Sequence, residues 1–478
     1  MKIAMVTSEA NPLCKSGGLA DVTYSLSREL NKMGHETAIF MPYYKKVKEK
    51  VGDKVEFVTA FDVFMSWRTQ YAGVFKIKID GITYFLIDNE FYFNRDELYG
   101  YGDDGERFAF LSLAAVVGFR ILNWKPDIVH VHDWQAGMIP CLLKERFGRE
   151  DFYKGIKSVL TIHNPAFKGL LDKYFLNNFY GLQDTLFYNG NVRFDGMVST
   201  LKAAIYYADM ITTVSPTHRE ELLSYQLSHG LNYCLELRKD DFVGIINGID
   251  EVEFNPMEDK YIKNKFNKDA YLRGKSNNKK DVLEAFHMPQ TKGPLIGLVS
   301  RLTWQKGIEL LWSNLEHLVG NNATLLVVGS GEKEIEQKLQ EMRDKYPNNI
   351  GIYIGYNNEL AHKVYAGADF FLMPSLFEPC GIGQLIAERY GALPIVRVTG
   401  GLKDTVTGYD GTNLSKANGF TFGTYDSLSL GRTFDQVFEV YGDKAKMGKL
   451  IVNAMKTSWS WHESAQQYIS VYERAKNK

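Results

Sequence analysis

The chain has 478 residues, more than a single hydrophobic core usually organises, so its length predicts at least two domains. Apolar residues make up 45% of it and charged residues 24%, which is ordinary for a globular protein. The formal net charge of −1 gives no reason to expect nucleic acid or an anionic membrane as a partner.

The N-terminal sequence, the apolar stretches and the cysteines indicate which kinds of protein the chain does not resemble. The N-terminal sequence turns polar after Val6, too early for the apolar region of a signal peptide. The longest apolar stretch, residues 108–119, is too short to cross a bilayer. The four cysteines are far apart and form no CxxC pair, so we expect no structural zinc site and a reducing, cytoplasmic location.

Strands that alternate with helical segments are predicted from the N-terminus onward. Residues 2–6 form an apolar run typical of a buried strand, and a polar, Gly-rich loop follows to residue 18. From Ala20 apolar residues recur at helical spacing until Gly34. Further strands are predicted at residues 36–41, 127–132, 159–163 and 210–214. This alternation is typical of a doubly wound parallel sheet.

The same pattern starts again near residues 242–246. A Lys-rich stretch at residues 258–280 predicts a surface loop or helix, and a helix is expected from about Gly307. Strands are predicted at residues 294–299, 323–328, 350–354 and 370–373. The second half of the chain is therefore interpreted as a second α/β unit.

A short internal repeat relates the two halves. Residues 17–21, Gly-Gly-Leu-Ala-Asp, resemble residues 400–404, Gly-Gly-Leu-Lys-Asp, and each segment opens a predicted helix. We therefore expect two related domains, residues 1–243 and 244–457, that face one cleft. The last helix, predicted over residues 458–478, is expected to pack back on the first domain.

The loop Lys15-Ser16-Gly17-Gly18 is the first candidate for chemistry. Its glycines let backbone N–H groups approach an oxyanion, the following helix directs its positive end at the loop, and Lys15 adds a full charge. These features suit a diphosphate, whereas the alternative is a tight turn with a solvated lysine. The Gly-Lys-Ser/Thr ending of a Walker loop is absent.

Two further loops follow predicted strands of the second half. Arg301 and Lys306 lie just after a strand, where open α/β sheets bind ligands, and are suited to clamp a leaving diphosphate. The alternative for this loop is a charged surface turn. Glu378 precedes Gly381 and Gly383, whose bare backbone suits contact with a ligand. Its carboxylate would bind sugar hydroxyls or stabilise positive charge, or would merely favour a helix N-terminus.

Polar side chains also follow two neighbouring strands of the first half. They are His132-Asp133-Trp134 and His163-Asn164. A single histidine at a strand end is usually a packed core residue, but two of them beside a carboxylate favour a site. His132 shares a strand face with the histidine two residues earlier, yet the nearby aspartates lack ligand spacing, so no metal is expected.

Taken in order, these segments resemble the motifs of the bacterial glycogen synthases and plant starch synthases. The chain carries KSGGLAD from Lys15, HDW from His132, NGID from Asn247, RLTWQKG from Arg301, EPCG from Glu378 and TGGLKDTV from Thr399. The resemblance covers essentially the whole chain, in order and with family-like spacing.

The resemblance implies a GT-B fold, in which two Rossmann-like, doubly wound α/β domains face an interdomain cleft. The donor would lie mainly on the second domain and the acceptor mainly on the first. It implies retaining transfer of glucose from ADP-glucose to the non-reducing 4-hydroxyl end of an α-1,4-glucan such as glycogen, with no metal or organic cofactor. The alternatives are another retaining GT-B enzyme that uses UDP-glucose or a different acceptor, and an inactive glucan-binding scaffold.

The resemblance also assigns roles to residues by their position in these motifs. Residues that would act in catalysis are Asp21, His163, Arg301, Lys306 and Glu378. The donor would be bound by Lys15, Gly18, Asn247, Arg301, Lys306, Tyr356, Cys380, Gly381, Thr399, Gly400 and Gly401. Tyr356 would stack on the nucleotide base, and Asn247 would line the site unless it serves only in an Asn-Gly turn. The acceptor cleft would include Asp133, Trp134 and Asn164.

Overall fold

The computed structural model describes residues 1–478 and divides into two compact units. The first unit comprises Met1–Ile245 together with Trp461–Lys478, and the second comprises Ile246–Ser460. The chain leaves the first unit two residues after the predicted boundary and returns to it three residues after the predicted one. Each unit has its own main sheet and its own hydrophobic core.

Parallel strands form the centre of the first unit. Its strands are β1 (Lys2–Val6), β2 (Glu36–Pro42), β3 (Glu56–Met65), β4 (Arg68–Ile79), β5 (Ile82–Asp88), β6 (Ile128–His132), β7 (Lys157–Ile162), β8 (Leu170–Leu171), β9 (Arg193–Phe194), β10 (Met197–Ser199), β11 (Met210–Thr213) and β12 (Phe242–Gly244). Nine of them form one sheet in the order β12-β11-β7-β6-β1-β2-β5-β4-β3, and β8, β10 and β9 form a small second sheet. Pairing in the large sheet is parallel from β12 to β5 and antiparallel through β4 and β3.

The predicted strands of this unit are confirmed to within two residues at each end. Strands β5, β8, β9 and β10 were not predicted, and neither was the hairpin of β3 and β4. Its apolar side chains form no continuous buried run, and Phe57 and Phe64 of β3 are exposed. A strand is recognised in a sequence by the run or alternation of apolar residues that its burial requires. This hairpin is little buried and largely lacks such a pattern.

Ten helices lie in the segment Met1–Ile245 of the first unit. They are α1 (Gly18–Lys32), α2 (Lys45–Val51), α3 (Glu90–Phe93), α4 (Asp104–Ile121), α5 (Ile139–Glu145), α6 (Phe175–Asn178), α7 (Thr185–Tyr188), α8 (Thr200–Tyr207), α9 (Pro216–Leu223) and α10 (Asn232–Glu236). Helix α1 buries Val22, Leu26 and Leu30 in the core, as their helical spacing predicts. Gly34, just beyond it, has a φ of +87°, which only glycine adopts without strain.

The second unit contains one six-stranded parallel sheet. Its strands are β13 (Leu295–Val299), β14 (Thr324–Gly329), β15 (Ile350–Ile354), β16 (Phe370–Met373), β17 (Leu393–Arg397) and β18 (Phe420–Phe422). They lie in the order β15-β14-β13-β16-β17-β18, which is the strand order of a Rossmann fold. All four strands predicted for this half are confirmed.

The second unit has eight α-helices, and those that begin at Gly383 and Gly400 follow candidate loops. They are α11 (Tyr271–Ala285), α12 (Leu315–Gly320), α13 (Lys333–Lys345), α14 (Asn358–Gly367), α15 (Gly383–Arg389), α16 (Gly400–Thr405), α17 (Ser427–Gly442) and α18 (Lys444–Lys456). The helix predicted from Gly307 begins instead as a 3₁₀ helix, Ile308–Asn314, before α12. Ile308 and Leu311 are three residues apart, share one face of such a helix, and are both buried.

The last helix belongs to the first unit. Helix α19 (Trp461–Lys476) buries Trp461, Ala465, Tyr468 and Tyr472 in the core of that unit. The helical spacing of these apolar residues is visible in the sequence. None of the helices combines the length and the apolar character needed to cross a bilayer.

Candidate functional site

Each of the two large sheets has a topological switch point, where the chain winds away in opposite directions. In the first unit it lies between β1 and β6, because β1 leads to β2 on one side and β6 leads to β7 on the other. In the second unit it lies between β13 and β16. Open α/β sheets bind ligands beyond the carboxyl ends of the strands at such a point. The loops after these four strands are therefore where the fold itself predicts binding.

A buried carboxylate holds the loop that follows β1. Glu9 is 2% exposed, and its two oxygens accept the backbone N–H of Ser16 at 2.6 Å and of Gly17 at 3.2 Å. Burial raises the pKa of Glu9. Glu9 is not among the predicted residues, although it is the only charged residue between Lys2 and Lys15. That isolation is the one signal in the sequence that points to it.

The start of α1 carries the first cation of the site. Lys15 Nζ lies 2.6 Å from Asp21 Oδ2, and both side chains are partly exposed. The side-chain amide of Asn11 also donates to the Asp21 carboxylate. At Gly17 and Gly18 no atom lies within 4 Å of the place that a Cβ would occupy. The packing of the protein does not require glycine here, whereas a ligand that approaches the backbone would.

The loops after β6 and β7 are joined through Asp133. Its Oδ1 accepts the backbone N–H of His163 at 2.7 Å and of Asn164 at 3.3 Å. Asp133 is buried, has a φ of +53°, and burial raises its pKa to about 7. Its carboxylate therefore positions the segment that carries His163.

The side chain of His163 contacts a second histidine. His163 Nε2 lies 3.0 Å from Nδ1 of His132, which is fully buried in β6. Burial lowers the pKa of His163 to about 3, so its ring is neutral at physiological pH. No group of three or more His, Cys, Asp or Glu side chains is arranged to hold a metal ion.

Trp134 and Asn164 take part in the local structure of these loops. The half-buried ring of Trp134 packs edge-on against Phe108, with ring centroids 5.2 Å apart. Asn164 Oδ1 accepts the backbone N–H of Ala166 at 3.0 Å. Both side chains thus help to shape the rim of the first unit's switch point.

A buried ion pair connects the two loops at the switch point of the second unit. Lys306 Nζ lies 2.6 Å from Glu378 Oε2, and their side chains are 15% and 9% exposed. Ser375 Oγ donates to the same oxygen at 3.0 Å. Lys306 follows β13 and Glu378 follows β16, so the pair joins the two strands that flank the switch point. Both charged residues were predicted, but neither their pairing nor Ser375 was.

Arg301 and Tyr356 form no hydrogen bond or ion pair with that cluster. Arg301 is exposed, and Tyr356 is 85% exposed with its hydroxyl 3.5 Å from Asn358 Oδ1. A guanidinium offers a fork for phosphate oxygens, and a tyrosine ring offers a flat apolar face. Both groups are open to a ligand rather than committed within the protein.

The loop after β16 packs backbone to backbone against the start of α16. The N–H of Gly401 donates to the carbonyls of Glu378 and Pro379, each at 3.2 Å. A Cβ at Gly400 would lie 2.0 Å from the Glu378 oxygen, and one at Gly401 would lie 2.2 Å from the Cys380 oxygen. No side chain fits at either position, so the two glycines are required by packing.

Cys380 and Asn247 meet near the same loop. The backbone N–H of Asn247 bonds the Cys380 thiol, and burial raises the pKa of that thiol to about 12, so it stays protonated. The side chain of Asn247 is buried, and its Oδ1 has no hydrogen-bond partner. Gly381 has a φ of +71°, and Thr399 is the extended residue before α16. An unpaired buried acceptor of this kind is suited to receive a hydrogen bond from a ligand.

Known proteins match the chain over both units. A family model described as the starch synthase catalytic domain matches residues 2–237, and one described as glycosyl transferases group 1 matches residues 279–452. The chain is 42% identical over 475 residues to a glycogen synthase of Clostridium botulinum, with 99% of each chain covered. It is 40% identical over 475 residues to a glycogen synthase of Anoxybacillus flavithermus, with 99% of this chain and 98% of the relative covered.

Solved structures are similar as well. The catalytic domain of starch synthase IV from Arabidopsis thaliana, bound to ADP and acarbose, matches with a TM-score of 0.91 and 28% identity, covering 100% of this chain and 99% of that one. A sucrose-phosphate synthase from Thermosynechococcus elongatus, 15% identical with a TM-score of 0.62, shares the fold over 99% of this chain and 98% of its own.

The similar structures and family models show the class of protein: the chain has the fold of the GT-B glycosyltransferases, as predicted. The chain belongs to the family of the bacterial glycogen synthases and plant starch synthases. The prediction of a retaining glucosyltransferase of the glycogen or starch synthase type is confirmed.

Proposed function

We propose that the chain transfers glucose from ADP-glucose to the non-reducing 4-hydroxyl of an α-1,4-glucan such as glycogen, with retention of configuration. The observation that carries the proposal is the ion pair of Lys306 and Glu378 at the second unit's switch point. An ammonium group has three donors, so Lys306 can keep one on Glu378 and direct others at a phosphate oxygen. The buried carboxylate holds the cation in place before the donor arrives.

The largest change of charge in such a transfer is on the departing diphosphate. Preorganised cations at that point are the most effective means of stabilising the transition state. Lys306 and Arg301 supply them from the second unit, and Lys15 supplies one from the first. Each of these cations follows a strand at the switch point of its own sheet, where open α/β folds bind their ligands.

The carboxylates near these loops are all engaged, which supports front-face transfer. Glu378 accepts from Lys306 and Ser375, and Asp133 accepts two backbone N–H groups. We therefore propose no covalent glucosyl–enzyme. The bond from C1 to the phosphate oxygen breaks, the acceptor 4-oxygen bonds C1 on the same face, and its proton passes to the departing phosphate.

The choice of ADP-glucose follows from the relatives. The solved starch synthase IV was bound to ADP, and the chain is similar to it over its full length. The exposed ring of Tyr356 offers a stacking surface for the nucleotide base. A cytoplasmic location is part of the proposal, because all four cysteines are unpaired and suit a reducing compartment.

A donor comparison tests this function. Purified protein is incubated with glycogen and either ADP-glucose or UDP-glucose, and release of the nucleoside diphosphate is followed. We expect release that depends on glycogen, is faster with ADP-glucose, and yields chains that an α-1,4-specific amylase degrades. Faster turnover of UDP-glucose would overturn the donor assignment, and no glycogen-dependent release from either donor would overturn the function.

A further inference from the structure

Three histidines form a connected group in the first unit. His130 and His132 both lie in β6, and their rings stack with centroids 4.4 Å apart. His132 Nδ1 then contacts Nε2 of His163 at 3.0 Å. The group therefore leads from the interior of the sheet to the loop that carries a proposed site residue.

The inner end of this group is anchored at both ring nitrogens. His130 Nδ1 lies 2.9 Å from the hydroxyl of Tyr472 in α19, and its Nε2 lies 2.6 Å from Thr161 Oγ1. Thr161 Oγ1 is in turn 2.6 Å from Thr212 Oγ1. Because His130 cannot turn without breaking these bonds, the ring stacked on it is also held in one orientation.

All three rings are neutral at physiological pH. Burial lowers the pKa of His130 and of His163 to about 3, and lowers the pKa of His132 well below its ordinary value. A neutral imidazole has one N–H and one acceptor nitrogen. In the contact between His132 and His163, one ring donates and the other accepts.

The remaining nitrogen of His132 decides which ring donates. His132 Nε2 is buried and has no hydrogen-bond partner. If His132 accepted at Nδ1, its proton would sit on Nε2 as a buried N–H without an acceptor. If it donates from Nδ1, Nε2 is only a bare lone pair. Orphaned buried N–H groups are rarer and more costly than unsatisfied acceptors, so donation by His132 is favoured.

We propose that His132 is a positioning residue that fixes His163 in the tautomer with its proton on Nδ1. The side-chain contact of His163 is made at Nε2 and its ring is half-buried, so the N–H on Nδ1 is available to a ligand. Toward the ligand, His163 then donates a hydrogen bond from Nδ1 and does not act as a general base. The inference rests on the proposed function only for the identity of the accepting group, an oxygen of the glucosyl unit.

The tautomer can be measured without any assay of activity. The full-length protein is labelled with ¹⁵N at its histidine rings, and long-range ¹H–¹⁵N spectra are recorded, with His163 assigned from the signals missing in His163→Gln. We expect a protonated Nδ1 and a bare Nε2 for His163. The opposite pattern would overturn the inference even if the enzyme uses ADP-glucose, whereas the expected pattern stands even if it does not.

Two variants of His132 then test its role. Asparagine retains an N–H donor near the position of Nδ1, whereas leucine keeps bulk and removes the donor. We expect His132→Leu to lower kcat by about tenfold more than His132→Asn, with a smaller change in KM for the donor. Spectra of His132→Leu should show both tautomers of His163. Equal kcat in the two variants, with circular dichroism like that of the parent, would contradict the proposal.

Discussion

Residues 17–21 and residues 400–404 differ in one position of five, and each segment opens a helix. At Gly401 a Cβ would lie 2.2 Å from a backbone oxygen, whereas at Gly18 no atom lies within 4 Å of that place. Gly401 is therefore required by packing within its own unit, whereas Gly18 is not. A shared motif can therefore have two causes, and the unoccupied space at Gly18 is what marks a loop open to a ligand.

The cations beside the two segments differ in the same way. Lys15 pairs with Asp21 and is 44% exposed, whereas Lys306 pairs with Glu378 and is 15% exposed. An exposed ion pair contributes little to stability, but removing one partner of a buried pair leaves an uncompensated charge. The first unit thus carries a more exposed positive charge, and the second carries one that is largely enclosed by its fold.

Substituting the two lysines should separate these roles most clearly. We expect Lys306→Ala and Lys15→Ala each to lower turnover by about a hundredfold, because each removes a cation from the departing diphosphate. Only Lys306→Ala should also lose stability, by about 3 kcal/mol, since Glu378 is left buried without its partner. Initial rates of ADP release and urea unfolding measure the two effects.

A double variant provides the control for that comparison. Lys306→Ala combined with Glu378→Gln removes the stranded charge, so stability should recover while turnover does not. An equal loss of stability in Lys15→Ala and Lys306→Ala would contradict the distinction. Near-normal turnover in either would count against the proposed diphosphate site.

The glycine required by packing should give the next largest effect. We expect Gly401→Ala to lower the free energy of unfolding by about 3 kcal/mol, because the added methyl group meets the backbone of Cys380. Gly442→Ala, at a helical position in the same unit with no atom within 4 Å, serves as the control and should change it by less than about 1 kcal/mol. Urea unfolding followed by circular dichroism would reveal whether the two variants differ.

Substitution of Gly18, where the place of a Cβ is empty, should have the smallest effect on stability but should still lower activity. We expect Gly18→Ala to unfold within about 1 kcal/mol of the parent, because its methyl group enters empty space. Turnover should fall by about tenfold, since the same space is needed by the donor phosphates. Gly102→Ala, also open in the first unit, is the matched control and should retain activity. A fully active Gly18→Ala would show that the loop does not approach the ligand.

Most of the parallel strands and the loops after them could be predicted, because apolar runs and the polar residues that follow them are visible in a sequence, whereas β5 and β18 were not predicted. Strand order was not predicted either, so the switch point between β13 and β16 became evident only in the structure. The contact of Lys306 with Glu378 joins residues 72 positions apart, and no local pattern encodes it. The hairpin of β3 and β4 was missed for a different reason, since its apolar side chains are partly exposed.

Groups that act through another residue were the hardest to predict. Glu9 holds the first glycine loop by accepting two backbone N–H groups, from residues that follow it by seven and eight positions. The sequence points to the histidine of the HDW segment, but its partner, His163, follows the neighbouring strand β7, and the histidine stacked on it is held by α19. Such roles depend on the three-dimensional neighbours of a side chain, and those are set by the fold.

The placement of α19 has a consequence for the order in which the protein matures on the ribosome. The second unit is one uninterrupted segment, Ile246–Ser460, and all of it is translated before α19. The first unit, although translated first, must wait for Trp461, Tyr468 and Tyr472 to fill its interior. The earlier half of the chain therefore cannot complete its core until the last residues are translated, and nascent chains stalled just short of α19 would be exposed to chaperones on the earlier half.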